Sequence, residues 1–178
     1  MTTTDSSLAA DIDAVCRLTG EFTLRSGQVS TEYFDKYLFE ADPVLLARVA
    51  REMIQLVPHD TDLLAGLELG GVPLATSVSG ILGRTPTLFV RKAAKTYGTC
   101  KLAEGPDFAG KRVVLIEDVI TTGGAVREAT NALREGGAVV EVVICAIDRS
   151  PEGVNPLEDL GLEVRAVLTK ADLDAVRG

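Results

Sequence analysis

The residues best equipped for chemistry are Glu117 and Asp118, followed by Val119, Ile120, Thr121, Thr122, Gly123, Gly124 and Ala125. Four consecutive apolar residues, Val113 to Ile116, precede the two carboxylates. That run predicts a strand buried on both faces, ending at the acidic pair. A helical pattern opens at Ala125. The first backbone N–H groups of a helix lack intrahelical partners, and the helix dipole favours an anion there. Gly123 and Gly124 allow the backbone to approach a phosphate closely, and Thr121 and Thr122 add hydroxyl donors. Carboxylates beside a phosphate site need hydroxyl donors or a hard cation, and sugar hydroxyls and Mg²⁺ both fit. The chemistry expected of this stretch is binding of a phosphorylated sugar. The alternative is an ordinary strand-to-helix turn in which Gly serves geometry alone.

This run resembles the phosphoribosyl diphosphate (PRPP) motif of type I phosphoribosyltransferases, with Glu117 where many members have Asp. The resemblance implies an open, mainly parallel α/β sheet flanked by helices, with a small N-terminal hood. It assigns Glu117 and Asp118 to the ribose hydroxyls, and residues 119–125 to the 5-phosphate of PRPP. It also implies Mg²⁺ carried by PRPP, with Glu117 and Asp118 nearby.

Three other stretches narrow the resemblance to the orotate phosphoribosyltransferases. Phe22-Thr23-Leu24-Arg25-Ser26-Gly27, then Ser30 and Tyr33-Phe34, follows the family's N-terminal pattern. By spacing alone it is a β-hairpin around Ser26-Gly27. The resemblance places Tyr33 and Phe34 against orotate and Arg25, in place of a common Lys, against PRPP. Glu68-Leu69-Gly70-Gly71 forms a second Gly-containing strand-to-helix turn. In the family this turn cradles pyrophosphate, which implies a contact at Gly70 and a cis or strained peptide near Glu68-Leu69. Arg91-Lys92-Ala93-Ala94-Lys95-Thr96-Tyr97-Gly98, ending in Glu104-Gly105, concentrates positive charge in an acidic chain. It looks like the family's mobile catalytic loop, here residues 92–111. Arg91, Lys92, Lys95 and Tyr97, with Lys101, are then expected on pyrophosphate, and Lys95 is expected to be catalytic. In the family this loop reaches into a neighbouring subunit, which implies a homodimer with shared sites. Arg149 stands where the orotate-binding Arg stands, with Thr121 also expected on orotate; without the resemblance, a salt bridge to Asp148 accounts for Arg149.

The elements that must position these residues follow from periodicity. Residues 6–19 read as a helix with Leu8, Ile12, Val15, Cys16 and Leu18 on one face, stopped at Gly20. Asp42-Pro43 starts a second helix, with Asp as N-cap and Pro at its first position; Leu45, Leu46, Val49, Met53 and Leu56 mark its buried side. Strands are expected at 62–67, 87–91, 113–116, 139–149 and 163–168, with helices at about 72–81 and 125–135. Gly136-Gly137 closes the last of these helices, and Thr169 caps a short helix running to Val176.

The chain has 178 residues, 46% of them hydrophobic, enough for one domain with a core. Residues 1–40 supply its helix and hood. The net charge of −8 argues against nucleic acid as the main partner. No apolar run reaches the roughly 20 residues that cross a bilayer, and Met1 to Asp5 lack the features of a signal peptide. Cys16, Cys100 and Cys145 form no metal or disulfide pattern, and His59, after Pro58, is expected to be a solvated loop residue. A cytoplasmic enzyme without membrane partners is expected. The resemblance implies that it makes orotidine 5′-monophosphate and pyrophosphate from orotate and PRPP, in pyrimidine biosynthesis. A phosphoribosyltransferase for another base, or a non-catalytic PRPP sensor, would keep the central motif; either would leave the hood and Arg149 without their expected roles.

Overall fold

The computed structural model describes residues 6–23, 27–92 and 102–177. Arg25, Lys95, Tyr97, Cys100 and Lys101 lie outside the described residues. In chain order the elements are α1 (Ser6–Cys16), β1 (Arg17–Thr23), β2 (Val29–Phe34), α2 (Tyr37–Ala41), α3 (Pro43–Leu56), β3 (Leu63–Leu67), α4 (Gly71–Leu82), β4 (Thr87–Val90), β5 (Ala103–Glu104), β6 (Arg112–Ile120), α5 (Gly124–Glu135), β7 (Val139–Asp148), a 3-10 turn at Glu158–Leu160, β8 (Glu163–Thr169) and α6 (Lys170–Ala175).

Six strands form one sheet in the order β5-β4-β3-β6-β7-β8. All its pairings are parallel except β4 with β5. The expected open, mainly parallel sheet with flanking helices is present, and β1 and β2 form a separate antiparallel pair. Strand β6 lies between β3 and β7, and alternation of its side chains divides the core. Val114 and Ile116 face one cluster with Leu8, Ile12, Phe39, Val49, Met53 and Leu74. Val113 and Leu115 face the other, with Val126, Leu133, Val143 and Leu157. A strand covered on both faces must be apolar on both, which explains the uninterrupted run.

Helix α3 begins as expected: Asp42 accepts from the N–H groups of Val44 and Leu45, and Pro43 occupies the first turn. Helix α6 carries the Thr169 cap as a reciprocal capping box with Asp172. Four boundaries differ from expectation. Helix α1 stops at Cys16 rather than near Gly20, because Arg17 and Leu18 pair with Phe34 and Tyr33 in the hairpin; Val15 is exposed, off the buried face. Strand β6 continues through Glu117 and Asp118 to Ile120, since pairing with β7 persists to Ile120–Asp148. Part of the loop expected over 92–111 is the short edge strand β5 on β4. Helix α2, a single buried-edge turn, has too few residues to show a period. No helix among the described residues is long and apolar enough to cross a membrane.

Candidate active site

The carboxyl ends of β3, β4, β6 and β7 all open onto one edge of the sheet, where open α/β sheets bind ligands. Strand β6 delivers Glu117 and Asp118 there, both buried, with Asp118 only 1% exposed. The Asp118 N–H donates to Glu117 Oε1 at 2.9 Å, and the Val119 N–H donates to Asp118 Oδ1 at 2.5 Å. Beyond Ile120 the chain turns through exposed Thr121 and Thr122. It enters α5 at Gly123, whose φ of +71° is a conformation that favours Gly. A Cβ on Gly123 would also lie 2.8 Å from Leu157 Cδ2. No side chain caps α5, so its first-turn N–H groups are open to an anion.

Gly70 and Gly71 press the start of α4 against β6. A Cβ on Gly70 would stand 1.8 Å from Asp118 Oδ2, and one on Gly71 would stand 2.2 Å from the Ile116 carbonyl oxygen. The Glu68-Leu69 peptide is cis, as the resemblance implied. Glu68 Oε2 accepts from the Lys92 N–H at 2.9 Å, fixing the start of the basic segment. Arg91 and Lys92 are exposed and line a cleft with Glu68, Leu102 and Ala125. The expected pyrophosphate turn, the base of the basic loop and the α5 N-terminus therefore meet.

The expected base-binding residues divide. The Arg149 guanidinium lies over the Phe34 ring at 5.6 Å, and the Arg149 N–H donates to the Ile120 carbonyl at 2.8 Å. Ser150 Oγ donates to the Thr121 carbonyl, so Arg149 adjoins the central motif. Tyr33 points to the opposite face of β2 and packs on Phe22 at 5.5 Å between ring centroids. Successive residues of a strand must face opposite ways, so Tyr33 and Phe34 do not meet at one point here.

Sequence reasoning missed two neighbours. Lys36 Nζ lies 2.6 Å from Asp118 Oδ2. Glu40, from α2, is buried, and its Oε1 has no hydrogen-bond partner. A basic residue in the hood segment, in an acidic chain with a buried carboxylate pair to balance, was a usable signal for Lys36. Nothing local marked Glu40.

This crowding divides the carboxyls. Burial, then the charge of Asp118, pushes Glu117 up to about 8, and the same causes push Glu40 up to about 8. Burial also works against ionisation of Asp118, but donation from Glu117 and Lys36 outweighs it and holds Asp118 below the usual range. Asp118 is the anion and the other two carboxyls hold protons near neutral pH. The folded chain therefore binds more protons than the unfolded chain between about pH 4.5 and 8. Stability falls as pH rises through that window; Asp118 acts oppositely, but only near and below the ordinary Asp value of 3.8. The ligand-free protein is expected to melt roughly 5 °C higher at pH 6 than at pH 8.5 by scanning calorimetry. Glu117→Gln should flatten the dependence; a melting temperature that rises across this window would contradict the assignment.

Asp118, joined by Glu117 once it gives up its proton, would offer the oxygen ligands that suit Mg²⁺, which completes its shell with water and substrate oxygens. They fit an ion that arrives on a diphosphate. Among the described residues no group of three or more His, Cys, Asp or Glu could hold a metal alone. Cys16 and Cys145 are buried free thiols; burial pushes Cys16 up to about 11 and raises Cys145 as well, so both stay protonated. His59 lies in an exposed turn, as expected.

The strand-borne acidic pair, the open helix N-terminus and the glycine turn facing them match the phosphoribosyltransferase site that the sequence resembles. Residues 40–164 match the family model described as the phosphoribosyl transferase domain. An orotate phosphoribosyltransferase from a Nocardioides species is 76% identical over 175 residues, covering 98% of this chain and 97% of the relative. One from Halobacterium salinarum is 40% identical, with 97% and 98% covered. The Mycobacterium tuberculosis orotate phosphoribosyltransferase solved in complex with PRPP superposes with a TM-score of 0.78 at 30% identity, over 95% of this chain and 98% of that one. The chain belongs to the orotate phosphoribosyltransferase family.

Proposed function

We infer that the chain transfers ribose 5-phosphate from PRPP to orotate, giving orotidine 5′-monophosphate and pyrophosphate. The observation that carries the choice of base is Arg149 over the Phe34 ring beside the central motif. An aromatic face and a forked cation suit a flat ring bearing a carboxylate.

The roles follow from position. The 5-phosphate rests on the amides and hydroxyls of 119–125 at the α5 N-terminus. Asp118 accepts from ribose hydroxyls, and Glu117 holds Asp118 in place and contributes its own oxygens. Gly70 lets backbone amides approach pyrophosphate, and Arg91 and Lys92 face it from the cleft wall. Arg25, Lys95, Tyr97 and Lys101 are assigned to PRPP by the family pattern. Mg²⁺, bound to PRPP, supplies charge neutralisation to the diphosphate. Orotate is already an anion with a usable ring nitrogen, so the protein's task is to position it, exclude water and stabilise separating charge. Phe34, Arg149 and Thr121 fix its plane and carboxylate, and Tyr33 supports the hood from its other face. The working unit is a homodimer that shares sites through residues 92–111, and the enzyme acts in the cytoplasm. The N-terminal hood and the sheet work as one domain, with Leu8, Ile12 and Cys16 in the same core as β6.

Loss of orotate absorbance with PRPP and Mg²⁺, run beside uracil, hypoxanthine and adenine, tests the reading. Turnover of orotate alone is expected. Turnover of another base would overturn the roles of Phe34 and Arg149 and keep the PRPP site. PRPP binding without turnover of any base would favour a sensor. Lys95→Ala should lower kcat by at least tenfold while raising KM for orotate much less, as loss of an interaction made in the transition state requires; an unchanged kcat would remove Lys95 from charge stabilisation.

A further inference from the structure

Lys36 sits between the two halves of the site. It follows Phe34 and Asp35 at the end of β2 and precedes α2 directly. Its ammonium contacts Asp118 Oδ2 at 2.6 Å, while its side chain stays one-third exposed and Asp118 is sealed from water. Glu40, one turn further along the same segment, is buried against the Gly70 surface that Asp118 also touches. Three carboxyls, Glu40, Glu117 and Asp118, thus share one buried corner, and among the described residues Lys36 is the cation paired with it. The same segment carries Phe34, whose ring underlies Arg149. Lys36 also lies 5.4 Å from the Tyr37 ring, which helps to fix the side chain's path. Asp118 is held at Oδ1 by the Val119 N–H and at Oδ2 by the Lys36 charge, so the ion pair fixes the second oxygen and holds the segment that carries Lys36 in return.

We propose that Lys36 is a positioning residue that links the two substrate sites: its ammonium orients Asp118 for the ribose hydroxyls, and the same ion pair holds Phe34 in place over the base. The link rests on the orotate phosphoribosyltransferase reading above. An ion pair between a segment that touches one ligand and a carboxylate that touches the other makes each ligand's affinity depend on one interaction. Breaking it therefore harms both substrates, whereas damage on one side alone would harm one.

The experiment is steady-state kinetics on Lys36→Met, Lys36→Arg and a control, Lys170→Met, with calorimetric titration of Mg²⁺-PRPP into each. Lys170 pairs with exposed Asp174, on the α6 surface, and its loss removes a positive charge away from the acidic corner. Lys36→Met is expected to raise KM for PRPP and KM for orotate each about tenfold, and to weaken PRPP binding by a similar factor. Lys36→Arg should recover most of both losses, and Lys170→Met should leave both KM values within twofold. A merely structural role would lower the melting temperature and the active fraction without moving the KM values together. Unchanged KM for both substrates in Lys36→Met overturns the proposal, as does a rise for one substrate alone. If Lys36→Met does not fold, Lys36→Arg and Lys36→Gln decide by the same criterion, with Gln failing and Arg recovering. A wild-type chain that binds PRPP but does not turn over orotate would sink the functional reading instead; equal PRPP affinity in wild type and Lys36→Met would then still overturn the Asp118 arm.

Discussion

Asp118→Asn is expected to lower kcat/KM for PRPP about a hundredfold while leaving the protein folded. Asp118 is buried, anionic and already aligned by the Val119 N–H and by Lys36. Hydrogen bonds to a charged acceptor contribute about 1.5–3 kcal/mol, against about half that for neutral pairs. Replacing the carboxylate by an amide removes the charge, swaps one acceptor for a donor, and leaves Lys36 without its counter-ion. Each change weakens the grip on ribose hydroxyls. Glu117 is not expected to substitute fully: burial, the first cause of its raised value, persists in the variant, although the part owed to the Asp118 charge is lost. The two adjacent carboxyls are thus unequal: Glu117→Gln should cost clearly less than Asp118→Asn near neutral pH. Initial rates over a PRPP series, with a melting curve for each variant, check the order. Loss within fivefold for Asp118→Asn, or a larger loss for Glu117→Gln, would reverse the assignment of the ribose-binding anion.

The largest expected effect on stability comes from one methyl group. Gly71→Ala would put a Cβ 2.2 Å from the Ile116 carbonyl oxygen. Ile116 belongs to β6, paired on both sides by β3 and β7, so the strand has no room to retreat. Helix α4 would have to lift instead, parting Leu74, Ala75 and Val78 from the core they share with Val114 and Ile116. A loss of about 3 kcal/mol is expected, at the upper end for forced overpacking, and a melting temperature lower by roughly 6–12 °C. Gly80 supplies the contrast within the same helix: it is exposed, and a Cβ there would meet nothing within 4 Å. Gly80→Ala should therefore stabilise by about 0.5–1 kcal/mol, from helix propensity and a less flexible unfolded chain. Urea unfolding of both variants tests the pair; equal midpoints would show that the α4–β6 contact is looser than the geometry requires.

Most of this architecture follows from local rules. The Val113–Ile116 run reads as a doubly covered strand because a central parallel strand has no wet face. Asp42-Pro43 and Thr169 mark helix starts because capping depends on only a few neighbouring residues. Gly123 and Gly136 bracket α5 for the same reason. The acidic pair and the helix that follows it were legible as a phosphate-sugar site because both halves lie within one short stretch. Where expectation failed, a non-local partner decided. Arg17 and Leu18 left the helix for a strand because β2 offered them pairing. The strand at Glu117 ran on to Ile120 because β7 continued alongside it. Glu104 became part of a strand only because the edge of β4 was open to it.

The amino-acid order by itself determined that the chain builds a parallel sheet and presents an acidic pair beside an anion-binding helix. It also put an Arg and a Phe within the family's pattern for orotate. Only the tertiary structure decided that Phe34 meets Arg149 while Tyr33 turns to Phe22. It alone brought Lys36 onto Asp118 and Glu40 into the same corner, and so made one carboxyl an anion and its neighbours acids. Charge state depends on burial and on partners contributed by distant segments, and neither is written in the spacing of neighbouring residues.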